Sequence, residues 1–194
     1  MSVAGILLAA GESTRMGQLK ALLPWRGTTL LQSQLREMAA AGLSPLVVVL
    51  GHRAEELRAL LPAGVSVALN ARYREGKSTS IVTGVGALPA GAEAAVIVAV
   101  DQPTEADILR QLAAFEGSIV LPSINQRRGH PTRFDTSVFP ELRAITEERE
   151  GLREVMTRHE ADIRYLSVDN DIVRANLNSP DDYQAAYARW GKEG

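Results

Sequence analysis

The chain has 194 residues, a formal net charge of −2 from 21 basic and 23 acidic side chains, 45% hydrophobic residues and no cysteine. That length suits one α/β domain spanning 1–194. The balance excludes a nucleic-acid coat, a polybasic membrane surface, a disulfide framework and thiolate chemistry.

Residues 3–9 form an apolar run that stops at Gly11. A loop with Gly11, Ser13, Arg15, Gly17 and Lys20 follows. The apolar stretch in "MSVAGILLAAG" is too short, and lacks the basic flank, for a signal peptide; no run approaches a membrane span, so a soluble cytoplasmic protein is expected. Further strands are expected at 46–50, 65–69 and 95–100, short and apolar on both faces, as in parallel strands covered by helices on both sides. Between them, helices are expected at 29–41, with Thr28 or Thr29 as N-cap and Gly42 as stop, at about 54–61, and at about 78–88. Asp101 follows the strand "AVIVAV", and Thr104 with Asp107 reads as a capping pair for the next helix.

After residue 118 the alternation weakens. "SIVLPSINQRRGHPTRF" reads as two extended arms about a polar turn at Asn125–Gln126, hence a hairpin or flap near 118–134. Two helices near 137–146 and 151–158 and a strand at 163–168 come next. The last helix starts at Ser179 (N-cap) with Pro180, Asp181 and Asp182 in its first turn. The βαβ alternation predicts a doubly wound, mostly parallel sheet with its ligand at the carboxyl ends of the strands.

The loop after the first strand lies at that end. A dinucleotide fingerprint fails, because Gly11 and Gly17 are six apart and no helix starts at once. A Walker loop fails at "EGKST" (75–79), where Ala71 replaces the first glycine and no strand leads in. A wider loop remains, whose amides wrap a triphosphate while Arg15 and Lys20 neutralise it; the alternative is a pair of solvated loop charges. Gly76, Ser78, Thr79 and Ser80 open a helix, and could meet a base or ribose or simply cap that helix. A carboxylate at the mouth of a buried strand, Asp101, needs a partner or a cation.

"LLAAGESTRMGQLKALLPWRGTTLLQ" resembles the signature of the MobA-like NTP transferase family, matching at Leu8, Ala9, Ala10, Gly11, Ser13, Arg15, Met16, Gly17, Lys20, Leu22 and Leu23. "GHRAEEL" (51–57), "EGKSTSI" (75–81), "DQP" (101–103), "RGHPTRF" (128–134) and "NSPDDY" (178–183) resemble the same family in order. The resemblance implies a Rossmann-like nucleotidyltransferase fold. It also implies a first loop that cradles an NTP, with Leu8, Ala9, Ala10, Gly11, Ser13, Arg15, Gly17, Lys20, Gly76, Ser78 and Ser80 as nucleotide-binding residues. Arg15, Lys20 and Asp101 would be catalytic, and Asp101 would hold Mg²⁺, a hard cation bound by few carboxylates plus substrate phosphates.

His130 would line the acceptor pocket, and Arg127, Arg128 and Arg133 could meet an anionic acceptor or solvate an edge. Where the family reads D-x-D, this chain has Asn176 and Asn178, whose amide oxygens would give Mg²⁺ a second contact without adding charge; guanylyl members often carry Asn here, whereas Ala9-Ala10-Gly11 resembles the cytidylyl branch. The resemblance therefore implies CMP transfer from CTP to the phosphate of molybdopterin, with pyrophosphate released and a molybdoenzyme as a further partner. Guanylyl transfer, transfer to a sugar or alditol phosphate, and a non-catalytic accessory protein that delivers nucleotide or cofactor are the alternatives.

Overall fold

The first strand, β1 (Val3–Ala9), is buried at every position and alternates its side chains between two cores. Its even residues, Ala4, Ile6 and Leu8, belong to one; Val3, Leu7 and Ala9 belong to the other. Each large aliphatic side chain so buried contributes roughly 1.5–3 kcal/mol. Residues 2–192 are described by the computed structural model.

β1 pairs in parallel with β4 (Leu46–Leu50) on one side and with β6 (Ala94–Ala99) on the other. A short hairpin, β2 (Pro24–Trp25) and β3 (Thr28–Thr29), precedes α1 (Leu30–Ala40). Thr29 caps α1, accepting from the Gln32 amide. α2 (Ala54–Arg58) leads to β5 (Ser66–Leu69), the edge strand beside β4. α3 (Lys77–Gly86) then returns the chain across the sheet to β6. α1 and α2 pack on one face of the sheet, through Leu31, Leu35, Met38 and Leu57. α3 packs on the other through Ile81 and Val85. Opposite faces for opposite directions of travel is what right-handed crossovers require. The chain reverses direction at β1, which puts the crevice for a ligand at the carboxyl ends of β1 and β6.

α4 (Ala106–Ala114) leads to β7 (Ile119–Ile124), which turns through Asn125–Gln126 into β8 (Arg127–Arg128). Both turn residues have positive φ, 50° and 62°, as a tight two-residue hairpin needs. The hairpin lies where the sequence puts it, but its base belongs to the sheet: β9 (Thr132–Asp135) inserts antiparallel between β7 and β6. α5 (Phe139–Ala144) and α6 (Leu152–Arg158) follow, then β10 (Ile163–Ser167), parallel to β7 at the other edge. The order is β10-β7-β9-β6-β1-β4-β5, a mixed, mostly parallel sheet with helices on both faces. α7 (Pro180–Ala186) starts with a full capping box between Ser179 and Asp182 and runs into a π-helical turn at Tyr187–Gly191.

One local expectation fails. α4 is not capped by Thr104 and Asp107: its N-cap is Glu105, and Glu37 of α1 accepts from the Ala106 amide at 2.7 Å. A carboxylate brought by tertiary packing replaces the local cap. The helices expected at 54–61 and 137–146 are also shorter, at 54–58 and 139–144. Among the described residues, no helix is long and apolar enough to cross a membrane.

α3 can cross β1 closely because Gly84 has no side chain; a Cβ there would lie 2.6 Å from Ile6 Cγ2 and 3.0 Å from Val49 Cγ2. Gly84→Val should therefore lower stability by about 1–3 kcal/mol through overpacking. Urea denaturation checks this, and an unchanged midpoint would show that α3 has room to move off the sheet.

Candidate active site

The loop leaving β1 closes on itself before α1 begins. Ser13 has φ 56° and Gly17 φ 67°, flanking a single 3₁₀ turn at Thr14–Met16. The Lys20 amide donates back to Ser13 Oγ at 3.0 Å. This bond sets Lys20 at the head of the next turn, where its side chain runs into the mouth of the sheet and donates from Nζ to Asp101 Oδ2 at 2.8 Å. Lys20 is 9% exposed in its side chain and Asp101 27%. Drawing this pair away from solvent carries a desolvation cost that the close contact offsets, and removing either partner would leave the other charge uncompensated there. Asp101 Oδ1 has no hydrogen-bond partner among the described residues.

A cavity of 310 Å³ surrounds the pair at the carboxyl ends of β1 and β6. Of the residues expected to meet a nucleotide, Leu8, Ala9, Ala10 and Gly11 line it from β1 and its exit. Ser13, Arg15 and Lys20 line it from the loop, Gly76 and Ser80 from the start of α3, and Asp101 from β6. Gly11 is informative because neither sterics nor torsion requires a glycine there: a Cβ would meet nothing within 4 Å. The absence of a side chain there keeps that side of the cavity open for a ligand to approach the backbone.

Two expected contacts lie elsewhere. Gly17 serves as the left-handed exit of the 3₁₀ turn and does not line the cavity. Ser78 is buried beneath the loop at 146–151: its amide donates to Glu147 Oε1 at 2.7 Å, and its Oγ lies where a Cβ on Gly151 would be. One amide at the α3 N-terminus is thus taken by an internal carboxylate. Ser80 is differently placed. Its Oγ accepts from Asn70 Nδ2 at 2.9 Å, which leaves its own hydroxyl hydrogen to donate.

Lys77 and Tyr73 also line the cavity and were not singled out from sequence. The only signal for Lys77 was its place beside Ser78 at a helix start, in a segment set aside as a failed Walker loop. Lys77 and Arg15 are exposed, and neither makes an ion pair with another described residue. Three cations therefore stand around one carboxylate.

His130, Asn176 and Asn178, expected at the acceptor and the metal, do not line this cavity; they are tied to its rim through the chain. β9 runs antiparallel to β6, so its beginning lies at the end where β6 finishes. Burial pushes the His130 imidazole from 6.5 down to about 4; the Lys77 cation adds to this, while Asp101 and the Ala175 backbone oppose it. Its Nδ1 is buried without a partner. The Leu177 amide donates to the Asp101 carbonyl at 2.8 Å, which sets Asn176 and Asn178 on either side of that anchor.

Among the described residues, no three His, Asp, Glu or Cys side chains cluster to hold a metal by themselves. The one carboxylate oxygen left without a partner is Asp101 Oδ1, a hard donor that suits a cation sharing its shell with substrate phosphates. Arg128 is engaged elsewhere, with Glu160 and over the Tyr165 ring, and Arg133 donates to the Gly117 carbonyl at 2.6 Å. Arg127 lines a separate cavity beside the β7–β8 hairpin.

His130 makes stability pH-dependent in a known direction. Its folded-state pKa lies below its unfolded value, so the unfolded chain binds the proton first as pH falls. Its contribution is fully present above 6.5 and is lost as pH falls toward about 4. His130→Asn should remove that component, at most about 3 kcal/mol. Denaturation midpoints at pH 7, 5.5 and 4.5 test it; parallel losses in both proteins would show that His130 titrates freely.

The molybdenum cofactor cytidylyltransferase of Escherichia coli K12 is 28% identical over 95% of this chain and 95% of its own length. The nicotine blue oxidoreductase of Paenarthrobacter nicotinovorans is 33% identical over 78% of this chain and 79% of its own. Among solved structures, Rv0371c of Mycobacterium tuberculosis H37Rv superposes with a TM-score of 0.86 at 29% identity, covering 97% of this chain and 98% of that one. The same protein has been solved in complex with manganese and superposes with a TM-score of 0.83. The model of the MobA-like NTP transferase domain matches residues 5–163, and the chain belongs to that family.

Proposed function

We propose that this protein is a cytoplasmic nucleotidyltransferase of one domain that moves CMP from CTP to the phosphate of molybdopterin and releases pyrophosphate. The observation that carries the reading is the grouping of Arg15, Lys20 and Lys77 around Asp101 in one cavity at the reversal point of the sheet. Three cations answer a triphosphate. The similarity to the molybdenum cofactor cytidylyltransferase of Escherichia coli supports the choice of base and acceptor.

An oxygen of the acceptor phosphate attacks the α-phosphorus of CTP, a new P–O bond forms, and the bond to the β-phosphate bridging oxygen breaks. Both reactants enter ionised, so the protein's work is alignment and charge stabilisation. Arg15 presents a planar fork to the β- and γ-phosphates, and Lys20 a compact ammonium already held at the mouth of β6. Lys77 adds a third positive charge from the start of α3. Ala9, Ala10, Gly11 and Ser13 supply backbone amides, and Gly76 and Ser80 meet the base or ribose. A divalent cation such as Mg²⁺, held by Asp101 with Asn176 or Asn178, would add charge stabilisation at the transferring phosphoryl group. His130, neutral at pH 7, borders the acceptor.

Pyrophosphate release from CTP, GTP and ATP with molybdopterin tests the reading. Lys20→Ala should lower kcat/KM by about 10²–10³-fold, as removal of one preorganised charge donor does. Asp101→Asn should abolish metal-dependent turnover while circular dichroism shows the fold retained. CTP at ~100 times its dissociation constant should raise the thermal midpoint by roughly 5–11 °C. Release with GTP alone would move the assignment to the guanylyl branch that Asn176 and Asn178 resemble. Tight nucleotide binding with no release would favour an accessory carrier, and near-normal turnover of Asp101→Asn would overturn the metal assignment.

A further inference from the structure

Asn70 follows β5 and is buried at 4% exposure; it does not itself line the cavity around Asp101. Its backbone amide donates to the Leu50 carbonyl at 2.8 Å, which extends the pairing of β4 with β5 by one residue and holds Asn70 at the carboxyl end of the sheet. Both polar atoms of its side chain are used. Oδ1 accepts from the Arg72 amide at 2.9 Å, and Nδ2 donates to Thr79 Oγ1 and to Ser80 Oγ, each at 2.9 Å. The reverse orientation would set Nδ2 against the Arg72 N–H, donor against donor, so the backbone selects the orientation.

Both hydroxyls are thereby made acceptors, and each must send its one hydrogen elsewhere. Thr79 has carbonyls to receive it, that of Gly76 at 2.9 Å and that of Arg72 at 3.0 Å. Ser80 has none among the described residues, and it lies on the lining of the cavity at 6% exposure. A buried hydroxyl hydrogen without an acceptor costs free energy, which a ligand acceptor recovers on binding. A ligand group that can only donate leaves that hydrogen unmet.

We infer that Asn70 is a positioning residue for nucleotide recognition: it turns the Ser80 hydroxyl hydrogen into the cavity, where that hydrogen selects a base presenting a carbonyl oxygen or an unprotonated ring nitrogen. The inference rests on the proposed nucleotidyl transfer, which puts a base or ribose beside Ser80. The base is favoured because ribose hydroxyls accept and donate alike, and so give a fixed donor nothing to select. Asn70 thus acts on the ligand through a side chain ten residues on, across the turn that opens α3.

Titration calorimetry of the full chain with CTP, and with inorganic tripolyphosphate as a probe of the cations alone, tests this. Ser80→Ala should weaken CTP binding about 10-fold and leave tripolyphosphate binding unchanged. Asn70→Asp keeps the size of the side chain and an acceptor for the Arg72 amide, but its carboxylate accepts from Ser80 and draws the hydroxyl hydrogen out of the cavity. It should weaken CTP binding about 10-fold or more, and add no further loss in the Ser80→Ala background. Equal losses for CTP and tripolyphosphate, or additive losses in the double variant, would mark a structural role and overturn the inference. Unchanged CTP affinity in Ser80→Ala would overturn it without recourse to the Asn70 variant. 2′,3′-Dideoxy-CTP should show the same losses; their disappearance would put the acceptor on the ribose and overturn the choice of base. Wild-type protein that binds CTP no more tightly than tripolyphosphate would overturn the proposed use of CTP and this inference together. A CTP preference that survives both substitutions would overturn the inference alone.

Discussion

The Lys20–Asp101 ion pair is the constraint on which the site is built. It joins the loop after β1 to the mouth of β6, two neighbouring strands whose connection consumes more than eighty residues. Lys20 is nearly buried, so its ammonium requires a carboxylate, and the Ser13 hydroxyl on its amide prevents the loop from relaxing away. A carboxylate has room for more than one partner. Asp101 therefore holds the lysine with one oxygen and, lining the cavity, leaves the other without a partner among the described residues, where a cation could share it.

The direction of β9 decides what surrounds that pair. Inserted antiparallel beside β6, it brings its first residues to the edge where the parallel strands finish. His130 reaches Asp101 for that reason alone. The carboxyl end of β7 delivers the Asn125–Gln126 turn to the same edge, and the segment after β10 delivers Arg174 to Asn178. A sheet with every strand parallel would have placed the beginning of residues 132–135 at the opposite edge, far from any substrate.

This explains what the sequence disclosed. The apolar runs that became β1, β4 and β6 are buried on both faces, and such burial leaves a plain mark in composition. The first loop was legible because its glycine, serine and cations stand close together in the chain. His130, Asn176 and Asn178 came from resemblance; the residues themselves carried no pattern. Lys77 and Tyr73 were not legible, because each joins the cavity only through elements that are distant in the chain. Local rules failed where tertiary partners won. Glu37 serves the helix start that Thr104 and Asp107 were expected to cap, and Glu147 takes the Ser78 amide that a base was expected to use. Gly76 marks the second case: its φ of 120° and the Glu147 side chain against it leave no space for a Cβ, so the glycine answers to the loop at 146–151 as well as to the cavity.

The charge states fit a reaction without proton transfer. A phosphate acceptor and a triphosphate are ionised near neutral pH, and what hinders their meeting is mutual repulsion. On the proposed transfer, Arg15 and Lys77, in no ion pair with another described residue, and Lys20, paired with Asp101, would lower that repulsion with positive charge fixed before the substrates arrive. His130 belongs to a different class of group. Held neutral by burial and by Lys77, it adds no charge at pH 7, and its Nδ1 is buried without a partner. A ring so enclosed serves the edge by holding the backbone at Ala175, close to the segment that Leu177 ties to Asp101, rather than by meeting a substrate itself. On that reading the edge separates two tasks: cations stand where negative charge would accumulate, and a neutral, buried imidazole fixes the chain beside them.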